Sequence, residues 1–352
     1  MERKLASVQQ VLEVLPIENA DAIELVRING WQCVTKKDEF RVGEMGVYLE
    51  IDSIPPDTEI FRFLWTPRPK SAEESGAVPQ TDSPVRPEKF RIRTMRLRGA
   101  LSQGLFLPLA AFSDLAGALA GDDVTAALGV EKYEPPVPTG MGDWRAPFPA
   151  FVPKTDEMRV QSLPELLEEL RGRPYAITLK YDGTSATYCL DLKDNTFHAC
   201  GRNQSILDGE NRYWQMARKY NIEAALRSQP QYAIQGEIVG PGIQKNRLGL
   251  KETSLFVFNV YDSVAARYLN HDEARAFLAQ ANLPAVETLE TGEAFAYDQE
   301  TLLKLAEGKY PNTTSEREGI VIRPRAETFS TALGGRLSFK AISNRFLLKE
   351  SE

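Results

Sequence analysis

Apolar residues fall at every second position in many short runs of this chain. Residues 23–36, "IELVRINGWQCVTK", read as two such runs joined at Asn29-Gly30, a dipeptide suited to a two-residue hairpin turn. "VGEMGVYLEID", "FRIRTMRLRG" and "SQGLFLPL" continue the pattern to about residue 108. Short strands at this spacing, with glycines inside them, predict a small β-barrel, and the five-stranded OB-fold is the common case. A helix-like stretch, "SDLAGALAGDDVTAALG", follows at 113–129.

Residues 131–150 then hold five prolines and two glycines, which predicts a linker. The expected organisation is a barrel over 1–120, a Pro/Gly-rich linker over 121–150 and a second domain over 151–352. That domain opens on "SLPELLEELRG", read as a helix capped at Ser162, with Pro164 in its first turn and Gly172 as its stop. Strands are expected near 175–181, 185–191, 195–200, 232–239, 255–261, 319–323 and 336–341. Helices are expected at 210–227, 271–281 and 298–308. The fold class is therefore α+β.

Composition narrows the setting. The chain has 352 residues, 42% hydrophobic and 26% charged, as soluble globular proteins do. No apolar run is long enough to cross a bilayer as a helix, so no membrane role is expected. The N-terminus is charged, without the apolar core of a signal peptide. Cys33, Cys189 and Cys200 have no CxxC spacing, which fits a reducing cytoplasm. His198 and His271 are too few and too far apart to make a metal cluster. The net charge is −7, yet residues 86–99 carry Arg86, Lys89, Arg91, Arg93, Arg96 and Arg98 against Glu88 alone. On a strand, Arg91 and Arg93 would share one face. Such a stripe is either a solvated face or a track for phosphates.

The chemistry concentrates at "TLKYDGTSATYCL", residues 178–190. There Lys180, Asp182 and Gly183 interrupt an alternating run. A lysine amine is inert while protonated, and desolvation or a nearby cation lowers its pKa and frees the lone pair. Asp182 suits water on a divalent metal, and Gly183 suits a sharp turn. Lys-x-Asp-Gly alone is a weak signal, because Asp-Gly is an ordinary turn. More follows in order: Arg202 in "ACGRNQS", Glu237 in "IQGEIVGPGIQKN", Phe256 and Phe258 in "LFVFNVYD", Glu318 in "EGIVIRP" and Lys340 in "LSFKAISNRFLL".

This series resembles the motifs of covalent nucleotidyltransferases: ATP-dependent DNA and RNA ligases and mRNA capping enzymes. "GEIVGPGIQK", "FKAISNRFLLK", the N-terminal barrel and "PKTDEMRVQ" at 153–161 narrow the resemblance to nick-sealing RNA ligases of family 5. It implies an OB domain followed by a nucleotidyltransferase domain of antiparallel sheets flanked by helices. It implies ATP and Mg²⁺ or Mn²⁺ as cofactors, and nicked duplex RNA or an RNA-containing duplex as partner, with no obligatory protein partner. Lys180 would form lysyl-AMP. Arg202 and Glu237 would hold the ribose and adjacent groups, Phe258 would stack on adenine, Lys340 would meet the AMP phosphate and Arg159 the triphosphate. Asp182, Glu237 and Glu318 would order the metal's water. Arg91, Arg93, Arg96 and Arg98 would serve the nucleic acid.

One position departs from the resemblance. The final strand usually carries two lysines at alternate positions, and here they read Ser338 and Lys340. By the same alternation Arg336 faces their side and would supply the missing cation. A DNA ligase, a capping-type enzyme and a non-catalytic OB-containing binder remain as alternatives at this level. Alternating phenylalanines are also ordinary core filling, and Arg202 with Glu237 would also make a structural ion pair.

Overall fold

The computed structural model describes residues 3–66, 85–88, 90–134 and 142–351. The chain divides into two units between residues 135 and 136. The expected linker is mostly folded. Val124 and Val130 are buried in the first unit's core, while Trp144–Pro147 pairs with a strand of the second. Residues 135–141 lie outside the described residues.

The first unit contains β1 (Ala6–Pro16), β2 (Ile23–Ile28), β3 (Trp31–Lys36), β4 (Met45–Leu49), β5 (Ser53–Ile54), β6 (Thr94–Leu97), β7 (Ala100–Gln103), β8 (Leu105–Pro108) and β9 (Glu131–Lys132). Five of them form a curled antiparallel sheet in the order β3-β2-β1-β4-β8, which bears out the OB-like barrel. The long β1 serves both sides of the curl. Ala6–Gln10 pair with β4, a register shift falls at Leu12, and the remainder pairs with β2. The helix expected at 113–129 does not form beyond one 3-10 turn at Ser113–Leu115. Gly117, Gly121 and Gly129 take left-handed backbone angles there, which no helix continues through.

The second unit contains β10 (Trp144–Pro147), β11 (Met158–Arg159), α1 (Leu166–Leu170), β12 (Tyr175–Lys180), β13 (Thr184–Asp191), β14 (Thr196–Cys200), β15 (Gln204–Ile206), α2 (Arg212–Lys219), α3 (Ile222–Ser228), β16 (Tyr232–Val239), β17 (Ser254–Asp262), β18 (Arg267–Tyr268) and α4 (His271–Gln280). It continues with β19 (Thr288–Gly292), α5 (Gln299–Ala306), β20 (Gly319–Pro324), β21 (Phe329–Ser330), β22 (Gly335–Arg336), β23 (Phe339–Ile342) and α6 (Asn344–Ser351). Seven strands form one sheet, β10-β15-β14-β13-β16-β17-β18, and five form another, β11-β23-β20-β12-β19. All their pairings are antiparallel except β11 with β23. Each sheet has its own core. Residues of α2, α3 and α4 pack against the larger sheet, and Leu166, Leu170 and Leu302 pack against the smaller.

Two boundaries moved. The helix expected from Ser162 starts at Leu166, and the expected helix over 210–227 splits at Asn221, whose φ of 51° ends the regular spiral. Among the described residues no helix is long and apolar enough to cross a membrane. All three cysteines are buried free thiols.

Candidate active site

Lys180 ends β12 in the smaller sheet, and Thr184 opens β13 in the larger one. Tyr181, Asp182 and Gly183 carry the chain from sheet to sheet. Ile177 and Leu179 are buried in the core with α1 and α5, so strand alternation turns Lys180 and Thr178 to the opposite face. Gly183 is needed for space and not for a left-handed turn. A Cβ there would lie 2.4 Å from the Ile238 carbonyl and 2.9 Å from the Glu237 Cγ.

Three carboxyl groups surround the lysine. Lys180 Nζ lies 2.9 Å from the Glu318 carboxylate, at the mouth of β20, where Gly319 is the cross-strand partner of Lys180. Glu237 lies on β16 between Ser185 and Phe256. Asp182 Oδ2 accepts from Arg247 Nε at 2.9 Å. Arg247 also pairs with Glu350 of α6 and lies over the Phe346 ring at 4.6 Å.

These charges set the protonation states. Burial pulls the Lys180 ammonium down, but Glu318, Glu237 and Asp182 together raise its pKa above the ordinary value. That corrects the expectation of a lowered lysine: the carboxylates around it outweigh its desolvation. Glu237 is pushed up to about 8 by burial and by Glu318 and Asp182, against the pull of Lys180. Asp182 is pushed up to about 6 by burial and Glu318, against Arg247 and Lys180. Among the described residues, no three Asp, Glu, His or Cys side chains are grouped to ligate one metal ion directly.

Sequence reasoning missed Tyr310. Its side chain is 1% exposed, and its hydroxyl donates to the Lys180 carbonyl at 2.8 Å. The same oxygen accepts from the backbone N–H of Asp182 and of Glu318, each at 3.1 Å. Burial and the Glu318 carboxylate raise its pKa, so the hydroxyl keeps its proton.

The segment "KTDEMR", residues 154–159, bridges the two sheets. Lys154 donates to Asn203, Thr155 meets Ser185 at 3.1 Å, and Asp156 pairs with Arg202 at 2.5 Å. Glu157 pairs with Arg323 at 2.9 Å. Arg159 sits beside Lys340 in the parallel pairing of β11 with β23. Arg202 thus has an exposed acidic partner of its own in Asp156, and it is not the ion-pair partner of Glu237. Phe258 is an extra residue in the register between β16 and β17, so it and Asn259 both line a cavity of about 50 Å³. Thr178, Arg323 and Arg336 line it too.

Residues 173–342 match a family model described as RNA ligase, and residues 5–109 match one described as an OB-fold domain. The solved structure of Naegleria gruberi RNA ligase with PPi is 36% identical, with a TM-score of 0.86, covering 99% of this chain and 99% of that one. The chain belongs to the RNA ligase family. Two mutants of the same Naegleria gruberi ligase match with TM-scores of 0.85, 36% identity and 99% coverage of both chains. One is a lysine-to-alanine mutant with ATP and Mn, the other a glutamate-to-alanine mutant with AMP and Mn. No curated protein matches the chain.

Two expectations within the ligase change. The strand expected over 336–341 is two strands, β22 and β23, with a break between them. Arg336 is turned away from Lys340: it pairs with Glu327 at 2.9 Å, donates to Asn259 and covers the Tyr268 ring at 4.0 Å. The cation beside Ser338 is Arg323, whose Nε donates to the Ser338 hydroxyl at 2.8 Å.

The second change concerns the arginines. Arg91 and Arg93 precede β6 and do not lie on a long strand. Arg91 is held by Asp52 at 3.6 Å and stacks over Tyr133 at 4.1 Å. Arg93, Arg96 and Arg98 are exposed, with Arg98 in the turn between β6 and β7 at a φ of 49°. Lys89 lies outside the described residues.

Proposed function

We propose that this chain is an ATP-dependent RNA ligase that seals 3′-OH/5′-phosphate nicks through lysyl-AMP on Lys180. The observation that carries the reading is the position of Lys180. It ends a strand where the chain crosses between two sheets, among Glu318, Glu237 and Asp182, in a member of the RNA ligase family. Deprotonated Lys180 attacks the α-phosphorus of ATP, a P–N bond forms and pyrophosphate leaves. A 5′-phosphate end then takes the AMP, and the neighbouring 3′-OH displaces it as the phosphodiester forms. The protein's part is to position groups and balance charge.

The donor set fits a hard divalent cation held through its water. It offers carboxyl oxygens only, and their combined charge already pushes Glu237 up to about 8. A bound Mg²⁺ or Mn²⁺ would neutralise phosphate charge and weaken the carboxylates' hold on the Lys180 proton. Arg159 and Lys340, adjacent on β11 and β23, are the cations for the phosphates. Phe258 faces the base and Arg202 the ribose. Arg93, Arg96 and Arg98 of the first unit track the duplex, beside Arg91, which Asp52 holds in place.

The test is incubation with α-labelled ATP and Mg²⁺, followed by denaturing electrophoresis. Wild-type chain should become labelled. Lys180→Ala should not, yet it should still seal a nick that carries a preformed adenylylated end. Labelled Lys180→Ala would end the assignment.

A further inference from the structure

We infer that Tyr310 is a positioning residue for the adenylylation step, its single hydroxyl fixing the backbone of the nucleophile and of two of its carboxylates. The inference rests on the assignment of Lys180 above. A neutral phenol offers one donor and two acceptor positions. Here all three are used, on Lys180 C=O, Asp182 N–H and Glu318 N–H.

The three partners come from two stretches of the chain that meet at the site. Lys180 ends β12, Asp182 lies in the crossing between the sheets, and Glu318 precedes β20. In sequence, Tyr310 is 130 residues from Lys180 and 8 from Glu318. Lys180 and Asp182 are joined through Tyr181, and the side-chain contact of Lys180 with Glu318 and the first pair of the β12–β20 ladder tie that stretch to the start of β20. The hydroxyl therefore fixes the backbone positions from which Nζ and the two carboxylates project.

Tyr310 is itself held on both sides. Its own N–H donates to the Ser315 carbonyl in a turn closed by the Lys309–Glu316 bridge. Its ring meets Tyr181 edge-on at 5.7 Å, and Tyr181 is the residue between Lys180 and Asp182. A phenylalanine keeps that ring contact and removes only the hydroxyl. Misplacement of reacting groups by about 1 Å costs on the order of a hundredfold in rate.

The experiment is single-turnover label transfer from α-labelled ATP to full-length wild-type and Tyr310→Phe chains, across ATP concentrations. If Tyr310 positions the site, the rate constant at saturating ATP falls about 10- to 100-fold. The labelled fraction at completion and the half-saturating ATP concentration then change less than about threefold. Mere loss of folded protein would instead lower the labelled fraction at an unchanged rate, and that result overturns the proposal, as does a rate within twofold of wild type. Failure of the wild-type chain to label is a different outcome: it removes the Lys180 assignment itself. If Tyr310→Phe does not fold, amide hydrogen exchange of the wild-type chain decides. Slow exchange at both Asp182 and Glu318 supports the clip, and open-loop rates at either overturn it.

Discussion

Replacing Ser338 by lysine would put back the ammonium that the last strand lacks. The surroundings of Ser338 work against it. The residue is 3% exposed, and its hydroxyl receives the Arg323 Nε at 2.8 Å. A hydrogen bond to a charged donor is worth about 1.5–3 kcal/mol, and it would be lost. Forcing a longer chain into a filled site costs about 1–3 kcal/mol more. The new ammonium would also sit beside the Arg323 guanidinium. The expected destabilisation of Ser338→Lys is about 4 kcal/mol from these contributions.

Arg323→Ala alone should also destabilise, because it removes the direct ion-pair partner of Glu157 and leaves the carboxylate with Arg336 and Ser338 alone nearby. Breaking such a pair costs about 3–5 kcal/mol. The lower end applies, since the two side chains are still 12% and 16% exposed. In the double variant the ammonium gains both space and the Glu157 carboxylate. The two changes should therefore cost less together than their sum, by about 2–3 kcal/mol. The assay is urea unfolding of the full-length chain, read at the ligase unit's transition, with label transfer alongside. Additive costs would refute the idea that Arg323 occupies the missing lysine's place. A Ser338→Lys chain within about 0.5 kcal/mol of wild type, labelling normally, would show that position 338 is open.

Two other predictions concern charge. Glu237 and Asp182 are pushed up to about 8 and about 6, so the folded chain keeps protons that unfolded carboxyls release near about pH 4. Their contribution to stability is full below that pH and is lost as pH rises to about 8. His198 and His271, held below the ordinary histidine value by burial, act in the opposite sense up to about pH 6.5. The melting temperature without nucleotide or metal should therefore fall over about pH 6.5–8. Glu237→Gln should flatten the upper part of that slope, and an unchanged slope would contradict the assignment. In the first unit, reversing Arg96 and Arg98 to glutamate should weaken nick binding and lower its salt slope by about 2, measured by anisotropy between about 50 and 200 mM salt. Reversing Arg91 should instead destabilise the unit, since Asp52 and Tyr133 hold it.

Strand alternation made most of this fold legible, because a half-buried strand has period two whatever it pairs with. It located β12, β13, β16, β17 and β20 to within a residue or two, and with them the places of Lys180, Glu237 and Glu318 on or beside their strands. Alternation fails where a strand is not continuous. The break before β23 turned Arg336 toward Glu327, and Phe258 is an inserted residue that no two-residue count anticipates. Partners far apart in sequence were invisible for a different reason. Tyr310, Arg247 and Glu157 are unremarkable in their own windows, and only the folded chain brings them to Lys180, Asp182 and Arg323. The Gly117 and Gly121 stretch shows the converse error: helical spacing was present, but two left-handed glycines outweighed it.

The carboxylates also bear on the order of events in the proposed reaction. One ammonium faces three carboxyl groups: they hold Lys180 as an ammonium, while burial and the other two carboxylates raise Glu237 toward neutrality against the pull of Lys180. Neither is then in the form that attack on phosphorus needs. Simple desolvation would have freed the lysine lone pair at all times, whether or not a nucleotide was present. Here the proton is released only when the carboxylates' charge is met from outside, so on the proposed reading activation of Lys180 is tied to arrival of the cation with the triphosphate. The backbone clip at Tyr310 suits that arrangement, since charge can redistribute among Lys180, Asp182 and Glu318 without their main chain moving. Arg247 limits the redistribution on one side, because it holds Asp182 to the C-terminal helix through Glu350. Among the described residues Glu237 and Glu318 have no such tie to an arginine, which makes them the carboxylates best able to change partners as the nucleotide enters.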